Sequence, residues 1–141
     1  MKDALGVLGM SAMGMLLLYA VVGYEAAYEI SYGAFTLMAA MVSLTFLWLW
    51  VQRSTPLAVG MAFGWAGAAS VMGWWWIFNL LEQPVAMVEN ALLFMCLSVY
   101  FVGAVLHFAV IGRSLGMVRG LWMIPVALAI AVSSVLHVTR L

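Results

Sequence analysis

The chain has 141 residues, 68% of them hydrophobic and 7% charged, with zero formal net charge and a mean hydropathy of +1.18. A water-soluble domain carries about 25% charged residues, so a soluble globular fold is excluded, and the lack of basic excess argues against a nucleic-acid partner. The single cysteine, Cys96, rules out an intrachain disulfide and a thiolate zinc site.

Met1-Lys2-Asp3 opens the chain and an apolar run, Ala4–Gly23, follows. A signal peptide has a stronger basic start, a shorter apolar core and a small-residue cleavage site. The run therefore reads as a retained first membrane helix, with Gly6, Gly9 and Gly14 as small packing positions. The stretch after it holds Glu25 and Glu29 beside Tyr24, Tyr28 and Tyr32. If that stretch is helical, the i, i+4, i+8 spacing puts the three tyrosines in one stripe.

The second span is expected over Ala34–Gln52, closed by Arg53, with Trp48 and Trp50 near its end. Thr55-Pro56 supplies an N-cap and an N1 proline for the third, Pro56–Leu80. Gly60, Gly64, Gly67, Ala68, Ala69, Ser70 and Gly73 make this span rich in small residues, which let membrane helices approach closely. It is expected at the centre of the bundle, with self-association or docking of other subunits through the Gly60/Gly64/Gly67 face as the alternative. Near its end stand Trp74, Trp75 and Trp76. Successive helical residues lie about 100° apart, so these rings fan out and cannot all line one pocket.

Glu82, Glu89 and Asn90 lead to the fourth span, Ala91–Gly112, in which Asn90 is the N-cap candidate and His107 lies six residues before Arg113. The fifth, Leu121–Val138, carries Trp122, Pro125 in its first turn, and His137. Glu29–Ser54 and Glu89–Ser114 share a faint parallel: a glutamate, an apolar span and a closing Arg-Ser.

Each segment has roughly the 20 apolar residues needed to cross about 30 Å of hydrocarbon. Backbone groups in lipid must be satisfied internally, so the spans are helices. The expectation is one all-α integral membrane domain, residues 1–141, of five transmembrane helices, with four as the alternative. Lys2, Arg53, Arg113 and Arg119 fall on one side; Glu25, Glu29, Glu82 and Glu89 fall on the other with Arg140. The positive-inside rule then sets the N-terminus in the cytoplasm and the C-terminus outside, most simply in a bacterial inner membrane. Trp48, Trp50 and Trp122 form one aromatic belt, and the tyrosines with Trp74–Trp76 form the other.

Helix termini account for most charges, because anions suit N-termini and cations C-termini. Glu25 and Glu82 are the exceptions, since both follow expected helix C-termini. They are either solvated loop residues or an outward-facing acidic patch that meets a cation. No charge falls in the middle of a span, which disfavours a proton- or sodium-coupled carrier. No hydrolase, protease or phosphate-binding motif is present, so an enzyme is not the expected reading. His107 and His137 lie at different depths and cannot clamp one haem within a subunit.

Three functions are carried forward. The first is a non-catalytic accessory subunit of a respiratory, photosynthetic or transport complex. The second is a homo-oligomeric channel or carrier for a neutral or cationic small molecule, with Glu25, Tyr28, Trp74, Trp75, Trp76 and Glu82 at its mouth. The third is a binder of a hydrophobic cofactor (quinone, carotenoid or haem); His107 is a further candidate binding residue, as a single haem ligand shared with a partner subunit or as a hydrogen-bonded interhelical group. The sequence requires no cofactor and no metal.

Overall fold

A computed structural model describes residues 2–117 and 120–139; Arg119 and Arg140 lie outside them, as do the side chains of Lys2 and Trp122. Among the described residues are five α-helices: α1 (Lys2–Val22), α2 (Tyr24–Arg53), α3 (Pro56–Leu80), α4 (Leu92–Ser114) and α5 (Ile124–Val138). Single 3-10 turns at Val85–Met87 and Leu121–Met123 precede α4 and α5, and no strand occurs among the described residues. Four helices, α1 to α4, are long and apolar enough to cross a membrane. The α5 helix, at 15 residues, is shorter.

Gly23 alone separates α1 from α2, with φ 83° and ψ 174°. Only glycine enters that backbone region readily. The chain reverses there: Ser31 Oγ on α2 donates to Met15 Sδ on α1 at 3.2 Å. Helix α2 therefore starts ten residues before the expected Ala34. Its 30 residues span about 45 Å, more than the hydrocarbon thickness. All three tyrosines and two glutamates lie in its first ten residues. This corrects the placement of Glu25. It follows the end of α1 but stands in the first turn of α2, where the helix dipole favours a negative charge.

At the opposite end, Ser54 in the left-handed conformation and Thr55 in the extended one make the link to α3. Thr55 and Pro56 occupy the N-cap and N1 positions, but the Thr55 side chain makes no capping hydrogen bond. Asn90 does cap α4: its Oδ1 accepts from the Leu92 N–H at 2.9 Å and its Nδ2 donates to the Ala86 carbonyl at 2.8 Å.

Helix α3 lies between α2 and α4, which flank it and barely meet each other. The three form an open layer, and α3 is the one long helix with a third of its apolar stretch buried. On its α2 side, Thr36 packs its methyl toward Gly73, and Ser43 Oγ donates to the Ala62 carbonyl at 2.8 Å. On its α4 side, Gly60 faces the backbone of Leu106 and His107, Gly64 faces Gly103, and Gly67 faces Tyr100. Each step up α3 is a step down α4, so the two run antiparallel in register. A Cβ on Gly103 would press on the Gly64 backbone and lie 2.8 Å from the Phe63 carbonyl carbon. Gly60 and Gly67 thus pack against α4 within the chain, while a Cβ on Gly64 would enter open space. The expected central place of α3 is realised.

The terminal helices pack little. Every described α1 side chain from Asp3 onward is exposed except that of Leu18, and only Val126 of α5 is buried.

Candidate functional site

Two concavities are built on this layer, at different heights along α3. The first is a polar pocket of about 680 Å³ at the end where α2 begins and α3 finishes. Tyr24, Glu25, Tyr28 and Glu29 line it from α2, and Asn79, Glu82 and Gln83 from the end of α3. The tyrosine stripe is real: ring centroids lie 6.1 Å apart for Tyr24–Tyr28 and 4.1 Å apart for Tyr28–Tyr32.

Glu82 reaches the pocket through an unusual backbone. The Gln83 N–H donates to the Phe78 carbonyl at 2.8 Å and the Glu82 N–H to the Asn79 carbonyl at 3.0 Å. These two bonds are the Schellman closure of a helix, with Glu82 at the left-handed C′ position that glycine usually fills. Its φ is 55°. The end of α4 closes identically, with Met117 N–H to Gly112 O and Gly116 N–H to Arg113 O, but there the C′ residue is Gly116.

Glu25, Tyr28 and Glu82, expected from the sequence at an outer mouth, are therefore brought together. The tryptophans are not. Trp76 lies on Gly33: a Cβ there would be 2.7 Å from the Trp76 Cε2 atom. Trp76 is thus one turn deeper than Glu29 and Asn79, and clamps the end of α3 onto α2 beneath the pocket. Trp75 is exposed and meets Phe78 edge-on at 5.6 Å. Trp74 is half-buried. None of the three lines the pocket.

Sequence reasoning missed Glu29, Asn79 and Gln83 as pocket residues. An earlier start for α2 would have placed Glu29 one turn from Glu25, on the same face. Among the described residues, no three carboxylate, imidazole or thiol groups stand close enough together to hold a metal ion.

The second concavity is a cleft of about 480 Å³ along the α3–α4 seam. Gly60, Met61, Gly64, Trp65 and Ala68 line it from α3; Tyr100, Gly103, Ala104, His107 and Phe108 from α4; and Phe35 from α2. His107 is thus separated from the acidic pocket. Its Nδ1 is buried and makes no hydrogen bond, a condition that costs about 1–3 kcal/mol. Cys96 is free and half-buried, and His137 is exposed near the end of α5.

No protein-family model matches the chain, and neither a curated protein nor a solved structure matches it. Function therefore has to be argued from these two sites and from the uncovered helices.

Proposed function

We propose that the chain is a non-catalytic subunit of a larger membrane assembly, respiratory, photosynthetic or transport in kind, in a bacterial inner membrane. The observation that carries this is α1. It touches the rest of the chain close to the Gly23 reversal, and a Cβ on Gly6, Gly9 or Gly14 would meet nothing within 4 Å. Small residues facing open space admit a partner helix at close range. On α3, by contrast, Gly60 and Gly67 already meet the α4 backbone, which favours α1 as the docking surface.

Five crossings fit this reading. The 15 residues of α5 rise about 22 Å, and the 3-10 turn before it adds about 6 Å, which approaches the hydrocarbon thickness. Arg53 and Arg113 share one end of the layer, which becomes the cytoplasmic end, and the four glutamates share the other.

The test is purification at native expression with mass spectrometry of co-eluting chains. A stoichiometric partner is expected, and Gly9→Ile should release it while leaving α2–α4 folded. A chain that elutes alone ends the proposal.

A second reading rests on the polar pocket: the mouth of a homo-oligomeric channel or carrier for an organic cation. Tyrosine faces attract cations by about 0.5–2 kcal/mol each, and three carboxylates add to this. Uptake of tetramethylammonium into proteoliposomes should fall in Glu82→Gln and Tyr28→Ala. Unchanged uptake removes the mouth.

A further inference from the structure

We propose that the α3–α4 cleft binds a lipid-soluble ring compound carrying a carbonyl oxygen, of the quinone class, with His107 as its hydrogen-bond donor. This is independent of the assembly reading above. Four observations converge. The cleft, about 480 Å³, falls within the roughly 300–1,000 Å³ of small-molecule sites. Gly60, Gly64 and Gly103 line it, so two helix backbones approach there without side chains between them. Phe35, Trp65, Tyr100 and Phe108 add ring faces and edges suited to another ring. No charged side chain is among the described lining residues, so the occupant is neutral.

His107 then selects the functional group. Its Nδ1 is buried with no partner. The neutral tautomer that leaves Nδ1 without a proton carries it on Nε2. Nε2 is the ring's remaining polar atom, and as an N–H it requires an acceptor such as a carbonyl oxygen. Access is from lipid: Phe35 and Tyr100 are 39% and 52% exposed, and in a membrane that exposure faces acyl chains.

Gly64 offers a clean probe. A Cβ there meets nothing within 4 Å, so a larger side chain fills the cleft without opening the seam. The experiment titrates decylubiquinone into the full chain in lipid nanodiscs and follows tryptophan fluorescence. Saturable quenching is expected, with Trp65→Phe removing most of the signal. Gly64→Leu and His107→Leu should each weaken binding about tenfold or more, equivalent to about 1.4 kcal/mol. His107→Gln, which keeps a donor, should recover part of the loss. Circular dichroism and melting temperature confirm that the variants fold. The proposal is overturned if quenching rises without saturating, if either leucine variant binds like the parent, or if decanol displaces the quinone at equal concentration. The last outcome would mark an acyl-chain groove.

Discussion

Glu82 and Gly116 occupy the same position in two helix closures of the same geometry, and only one of them is glycine. A left-handed conformation costs a side-chain-bearing residue roughly 1 kcal/mol or more. Glu82→Gly should therefore raise stability by about 1 kcal/mol, and Glu82→Gln should leave it nearly unchanged. Gly116→Ala should lower it by a similar amount. Thermal unfolding in detergent reads all three. Stabilisation by the glycine variant would mean that the carboxylate is kept at the pocket rim at the expense of the turn. The α3–α4 seam gives a second contrast between residues that touch each other. Gly103→Leu presses on the Gly64 backbone and should cost about 1–3 kcal/mol. Gly64→Ala enters open space and should gain about 0.5 kcal/mol from the lower backbone entropy of the unfolded chain. Equal effects at the two sites would contradict the packing.

At the scale of the element, Gly23 divides what would otherwise be one unbroken helical run from Lys2 to Arg53. Gly23→Ala cannot hold φ 83° and ψ 174° without strain of about 1–3 kcal/mol, so the reversal should open. With Cys96 replaced, spin labels at Met15 and Ser31 report it: the short distance implied by their contact should lengthen and broaden. An unaltered distance would show that contacts, not Gly23, set the reversal. The spans were legible in the sequence because lipid makes apolar length decisive, and Pro56–Leu80 is matched at both ends. The start of α2 was not. Tyr24–Gly33 mixes charged and aromatic residues and lacks the apolar run that marks a span, so its continuity with α2 left no hydropathy signal. The acidic patch was legible from the isolation of Glu25 and Glu82 near one edge. The Trp76–Gly33 clamp was not, because a glycine's partner lies on another helix and leaves no local pattern. The same is true of the aromatic cleft: His107 was singled out, but Trp65 and Tyr100 join it only through the antiparallel register of two glycine-bearing helices.

Across the whole molecule, charge is polarised along the layer. Glu25, Glu29, Glu82 and Glu89 gather at one end, and Arg53 and Arg113 at the other. The proposed orientation, with the arginine end in the cytoplasm, can be tested directly. In a Cys96-free background, cysteine at Gln83 should react with a membrane-impermeant maleimide in intact cells, and cysteine at Ser54 should react only after lysis. The opposite pattern would invert the topology and put the acidic pocket inside the cell.

The middle place of α3 also bears on how the protein is made. Of the four long helices α3 is the least apolar, because glycine and alanine occupy its packing faces. On the ribosome it emerges with α2 beside it and α4 still unwritten. Until α4 arrives, its small-residue seam faces lipid, with bare backbone where side chains would normally shield it. Biogenesis therefore has a vulnerable interval between the second and fourth helices. The glycines that give the finished layer its closeness are also what makes the half-made chain hesitant to stay in the membrane.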